Sequence, residues 1–150
     1  MIKIPNDTAY TDRTNADGWT LNNGRCDEQS VYGVDYAQII INGKTSAVGK
    51  LTSCTLSGGI SSLSFGYGYA FSESNGVSIT INIKDTEGNV LATTQCVDAS
   101  IAKEATGTFT WTLDTAIEGD FVIEIVNNCP SANTGNKDRY SLWNLTWENA

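Results

Sequence analysis

Between Ser61 and Asp85 the chain keeps a strict alternation. Leu63, Phe65, Tyr67, Tyr69 and Phe71 fall at every second position, with Ser62, Ser64, Gly66, Gly68 and Ala70 between them. Strand side chains point to opposite faces in turn, so this is a strand with one aromatic face and one nearly bare face. A second run sets Val77, Ile79, Ile81 and Ile83 against Ser78, Thr80, Asn82 and Lys84. The polar residues Ser72 to Gly76 predict a turn, so the two runs read as paired long strands sharing one wall of a core. Glycines on the bare face leave room for a packed neighbour, a bulge or a ligand.

The rest of the chain carries the same period. Residues 1 to 30 are polar, with Trp19 and Leu21 as the strong anchors and Asn22-Asn23-Gly24 as a turn signal. Tyr36 to Ile41 is a strand ending at the hairpin signal Asn42-Gly43. Val48 to Leu56, Val90 to Val97, Thr108 to Leu113 and Phe121 to Val126 read as further strands, the last central because only Glu124 interrupts its apolar character. Ser100 to Thr106 fits a helical turn or a strand edge equally well. After the polar stretch NNCPSANTGNKDR (127 to 139) the chain closes on YSLWNLTWEN, where the period puts Ser141, Trp143, Leu145 and Trp147 on one face. No segment keeps a helical period for two turns. About eight short strands at this spacing predict one all-β domain over residues 1–150, an antiparallel, jelly-roll-like β-sandwich.

Composition narrows the chemistry. The 150 residues suffice to bury a core, and the net charge of −8 disfavours long-range attraction to nucleic acid. No apolar run approaches the ~18 residues of a membrane span, and MIKIPNDTAY holds no signal peptide; in a module excised from a longer parent, export signals would sit elsewhere. There is no His, which removes the commonest general base and the usual zinc ligand. Cys26, Cys54, Cys96 and Cys129 show no CxxC spacing; they leave room for disulfides, or serve as small buried hydrophobes. The acidic candidates for glycoside hydrolysis, Glu73, Asp85, Asp98, Glu104, Asp114, Glu118, Asp120 and Asp138, fall mostly in turns, where Asp bonds its own backbone. No nucleophile–base set emerges, so no catalytic residue is named and the chain is read as no enzyme. No cofactor is expected. Glu73 with Asn75, or Asp138 with loop carbonyls, would suit one structural calcium ion; a solvated turn is the alternative.

The chain has nine basic residues. Arg25 and Lys44 lie in predicted turns, Lys103 in the ambiguous segment, and Lys137 and Arg139 flank Asp138. Together they would form a cationic site on an acidic body, suited to the carboxylates of an acidic sugar polymer. The competing role for Arg139 is an internal salt bridge to Asp138 or Glu73. Sugar rings stack their C–H faces on exposed aromatics, and Tyr10, Trp19, Tyr32, Tyr36 and Tyr140 stand in polar contexts; Trp19 also fits an edge strand covering the core. The candidate carbohydrate-binding set is Trp19, Arg25, Tyr32, Lys44, Lys103, Lys137, Arg139 and Tyr140, with no metal ligands.

The segments YGYAFSESNGV and NKDRYSLWNLTW, within a stretch from Gly49 to Trp147, resemble a β-sandwich module appended to secreted bacterial pectate lyases, other pectin-active enzymes and some extracellular nucleases. The resemblance implies a secreted, monomeric, non-catalytic module that binds plant cell-wall polysaccharide and targets a tethered catalytic domain. Pectin-binding modules of the family 77 type use basic side chains without calcium, a part that Arg25, Lys44, Lys103, Lys137 and Arg139 would play here. A membrane partner is not expected and nucleic acid is disfavoured. Neutral glycans such as xylan or β-glucan, a protein-interaction role and a nucleic-acid accessory role remain the alternatives.

Overall fold

The computed structural model describes residues 1–4, 7–29, 32–40, 48–71, 76–128 and 139–150. Among the described residues ten strands follow in order: β1 (Thr11–Thr14), β2 (Thr20–Gln29), β3 (Val34–Ile40), β4 (Lys50–Thr52), β5 (Ile60–Tyr69), β6 (Val77–Lys84), β7 (Val90–Asp98), β8 (Gly107–Ile117), β9 (Val122–Asn127) and β10 (Tyr140–Glu148). All pairings are antiparallel, in the order β7-β6-β9-β4-β2-β3-β10-β5-β8, with β1 beside β2. The fold is all-β, as the alternation predicts.

One strand joins the two layers. Thr20 to Asn22 of β2 pair with β4, whereas Gly24 to Gln29 pair with β3. Between them Asn23 has φ 47°. Asn tolerates this left-handed conformation because its short polar side chain bonds locally. The Asn22-Asn23-Gly24 signal is therefore a bend inside a strand and not a hairpin turn. Strands that switch layers at such bends are how sandwiches turn corners. The polar first thirty residues hold two strands, β1 and β2, where the sequence offered only Trp19 and Leu21.

The Ser61–Asp85 region is likewise no hairpin. Strand β5 pairs with β10 and β8, and β6 pairs with β7 and β9. The two strands lie in opposite layers and bury their apolar rows in the shared core. Leu63, Phe65, Tyr67 and Tyr69 line it from one side, and Val77, Ile79, Ile81 and Ile83 from the other, with Phe121, Ile123, Ile125, Tyr140 and Leu142. The buried tyrosine hydroxyls find partners, as amphipathic rings must. Tyr67 donates to Asp98 at 3.0 Å, and Tyr69 accepts from the Gly76 N–H at 2.6 Å. Burial, with the Asp98 hydrogen bond, pushes the Tyr67 hydroxyl up to about 12. Cys26, Cys54 and Cys96 are free thiols; burial pushes Cys26 up, and burial beside Asp98 pushes Cys96 up to about 12, so both act as inert hydrophobes. Cys129 lies outside the described residues.

The outward face of β9 carries a buried charge. Glu124 accepts from Lys84 Nζ at 2.7 Å and Asn82 Nδ2 at 3.0 Å. Burial alone would raise its pKa. The Lys84 and Asn82 hydrogen bonds, with the charges of Lys84 and Lys50, outweigh it and hold the carboxyl below the usual range. A carboxylate lowered in the folded state stabilises above its unfolded pKa and loses that contribution as pH falls through the folded value. Urea denaturation should therefore show Glu124→Gln less stable than the parent at neutral pH. The gap should close as pH drops below about 4.3, the ordinary glutamate value; a gap independent of pH would contradict this assignment.

Candidate functional site

The bare face of β5 is where the sequence left a question, and aromatic side chains answer it. Gly66 is the cross-strand partner of Trp143, and Gly68 that of Ser141. The Trp143 indole occupies the space a Cβ on Gly66 would need, and the Tyr32 hydroxyl that of a Cβ on Gly68. The two rings stack on each other, with centroids 4.7 Å apart. Tyr32 also donates a hydrogen bond to the Tyr69 carbonyl. Both rings are half-buried, each seated on a glycine.

The register of β10 explains why Trp143 is there. Tyr140 and Leu142 face the core opposite Tyr69 and Tyr67, which puts Ser141 and Trp143 on the outer face. At Asn144 φ is 51°, and the pairing slips between Trp143 and Thr146. Beyond the slip Trp147 pairs with Leu63 and turns inward against Trp19, with ring centroids 6.5 Å apart. The single face expected for Ser141, Trp143, Leu145 and Trp147 is therefore split in two. A β-bulge reverses the alternation from that point on.

A second cluster lies at the end of β5. Phe71 leaves the aromatic row, is 38% exposed, and lies under two guanidinium groups: Arg139 at 4.5 Å and Arg25 at 5.0 Å from its centroid. Arg25 also stands 5.1 Å from the Tyr10 ring. Tyr10, Arg25, Phe71 and Arg139 thus form an alternating ring–cation series. Arg25 is held further by Asp27 at 2.9 Å. The ring contacts fix the guanidinium groups without adding charge, while the Asp27 carboxylate offsets that of Arg25.

Arg25 and Arg139, two of the cations expected to converge, are therefore together. Tyr32, in the turn before β3, lies over Gly68 beside Trp143. Lys103 is exposed in the turn between β7 and β8, two residues before Ala105, whose carbonyl packs near Gly68. Trp19 and Tyr140 are 6% and 2% exposed, so both rings belong to the core and neither presents a face to a ligand. Burial is the physical reason: Tyr140 sits on an inward strand position, and Trp19, just before β2, turns in against Trp147. Lys44 and Lys137 lie outside the described residues, as do Glu73, Asn75 and Asp138, the atoms invoked for calcium and for a salt bridge to Arg139. Phe71 and Trp143 are site residues that the sequence did not single out. Phe71 ends an aromatic row just before a polar turn, which is a visible signal; the seat of Trp143 on Gly66 depends on register and is not.

Two of the acidic candidates serve structure. Asp85 accepts from the backbone N–H of Glu87 and Asn89 at 2.9 and 2.8 Å, closing its own turn, and Asp98 accepts from Tyr67. At Gly66 the fit of the aromatic pair gives a direct check. Gly66→Ala should displace the indole, lower stability by about 1–3 kcal/mol as overpacking does, and change tryptophan emission; unchanged emission would contradict the seating of Trp143.

No family model and no curated protein matches this sequence. Solved structures do match in fold. A glycoside hydrolase family 43 arabinoxylan arabinofuranohydrolase from Bacillus subtilis, in complex with cellotetraose, aligns with TM-score 0.60 and 10% identity, over 100% of this chain and 28% of that one. A family 61 carbohydrate-binding module in complex with β-1,4-galactotriose aligns with TM-score 0.54 and 12% identity, over 88% of each chain. A family 6 carbohydrate-binding module aligns with TM-score 0.50 and 16% identity, over 93% of this chain and 88% of that one. The chain is thus similar in fold to β-sandwich carbohydrate-binding modules.

Proposed function

We propose that this chain is a non-catalytic module that binds plant cell-wall polysaccharide, pectin in the first place, and holds a tethered catalytic domain of a secreted parent enzyme near its substrate. The observation that carries this reading is the convergence of Arg25 and Arg139 on Phe71. A guanidinium takes a sugar carboxylate through two parallel hydrogen bonds, and one already docked on a ring loses less freedom on binding. The neighbouring Tyr32–Trp143 pair supplies aromatic surface for C–H faces. The overall charge of −8 opposes a polyanion at a distance, but salt screens that field beyond about 10 Å at 0.1 M, leaving the local pair to decide. Affinity is expected to be modest, on the order of micromolar to millimolar, because a shallow site contacts few sugar units. Tethering makes that sufficient by raising effective concentration.

The fold likeness to carbohydrate-binding modules supports the general role. The galactotriose and cellotetraose in two of those neighbours keep neutral glycans as the alternative ligand class. A protein-docking role would need a contiguous apolar patch of several hundred Å2. The exposed apolar residues of β7 are Val90 and Leu91 at one end and Val97 at the other. At about 3.3 Å per residue they lie roughly 20 Å apart, so they make two small spots.

Affinity gels loaded with low-ester pectin, xylan, mannan, β-glucan or DNA test the reading. Retardation by pectin is expected, weakening with added salt, and Arg139→Ala should loosen it about tenfold, the worth of one charge-assisted hydrogen bond. Retardation by no polysaccharide rejects the module reading. Retardation by DNA alone, steeply salt-dependent, would favour a nucleic-acid accessory role.

A further inference from the structure

We propose that a cleft beside Trp143 is a second saccharide subsite, built for a neutral sugar unit and distinct from the arginine pair. The proposal rests on the glycan-binding reading and adds to it a place and a ligand chemistry. The cleft lies between the N-terminal segment and the β3–β10 pair, encloses about 420 Å3, and is lined among others by Lys3, Asp35, Tyr36, Trp143, Asn144 and Leu145. That volume sits at the small end of the roughly 300–1,000 Å3 typical of ligand sites.

Two observations mark the cleft as more than a packing gap. First, its walls hold unusual backbone. Tyr36 at φ 57° and Asn144 at φ 51° are both left-handed and both line it. Asn accepts this conformation readily, but a bulky Tyr does not. Strain of this kind persists where surrounding structure enforces it, and it gathers at binding sites. The enforcement is visible: Gln38, fully buried, donates to the carbonyls of both Ile2 and Tyr36 at 2.9 Å, locking the N-terminal segment against β3. Second, the polar groups facing the cleft are unengaged. The side chains of Lys3, Asp35 and Asn144 make no hydrogen bond or ion pair with another described residue.

The chemistry of the lining selects the ligand. The side chains of Lys3, Asp35 and Asn144 give an ammonium, a carboxylate and an amide, donors and acceptors with no net charge among the three, which suits hydroxyl groups. A carboxylate accepts from a pair of hydroxyls, and an ammonium and an amide donate to others. Trp143, fixed by Gly66 beneath and Tyr32 beside it, and Leu145 offer apolar surface to a ring face. Asp35 would repel a uronate carboxylate, which the arginine pair would attract. Arg139 directly precedes β10 and Trp143 lies within it, four residues on and so about 13 Å away along the chain. One polymer can therefore put an acidic unit under the arginines and a neutral unit in the cleft.

Titration calorimetry with cellotetraose, β-1,4-galactotriose and trigalacturonate separates the possibilities. Asp35→Ala should weaken binding of a neutral oligosaccharide about tenfold or more and leave trigalacturonate unchanged. Asn144→Gly, which keeps the left-handed backbone, should do the same without lowering the thermal midpoint. Arg139→Ala should show the opposite selectivity. Neutral binding that both cleft variants leave intact, equal weakening of neutral and acidic ligands, or a parent that binds trigalacturonate alone would each overturn the cleft assignment while sparing the glycan-binding reading. Binding of no saccharide by the parent would overturn both.

Discussion

Strand β5 has to satisfy two incompatible neighbours, and the rest of the structure follows from how it does so. Its inner side fills the core with Leu63, Phe65, Tyr67 and Tyr69, each all but hidden from solvent. Burying such side chains is worth about 1.5–3 kcal/mol apiece. Its outer side must admit the Trp143 indole and the Tyr32 hydroxyl at the level of the backbone, which only glycine permits at positions 66 and 68. The same ten residues therefore anchor the core and seat the surface aromatics. Because the inner row cannot shift without opening a cavity, the outer pair inherits its rigidity.

Charge is arranged with similar economy. The described ion pairs are partly buried: Arg13 with Asp7 and Lys84 with Glu124 join neighbouring segments, and Arg25 with Asp27 lies within β2. Asp7 ties the N-terminal segment to β2 by accepting also from the Cys26 N–H at 2.9 Å. Among these cations Arg25 alone is drawn as well to rings, and it meets Arg139 at Phe71. At Phe71 the π-face holds both guanidinium groups without adding opposing charge, while Asp27 offsets part of the charge of Arg25.

The sequence conveyed the fold class and the core well, because a period of two leaves little ambiguity once one face is aromatic. It conveyed connectivity poorly. Ser72 to Gly76 has hairpin composition, yet β5 and β6 on either side of it do not pair with each other, and composition does not reveal which strands pair. Strands β1 and β2 are not legible in the sequence because their mostly polar residues carry no apolar alternation. The convergence of Arg25 and Arg139 was legible as a scarcity argument, since so few cations were present. The place of Trp143 was not: one left-handed residue, Asn144, inverts the face of everything after it, and alternation read without register assigns Trp143 and Trp147 together. Trp19 and Tyr140 looked available because their sequence neighbours are polar, but neighbours along a strand belong to the opposite face.

The bend at Asn23 carries a mechanical implication. Since β2 is hydrogen-bonded to β4 before it and β3 after it, the two layers are one uninterrupted ladder rather than two sheets held by contact alone. Neither layer can slide over or peel from the other without tearing backbone bonds at that corner. A pulling force applied along the chain would then meet a single cooperative body, and the surface carrying Trp143 and Phe71 would keep its shape under load until the whole fold gave way.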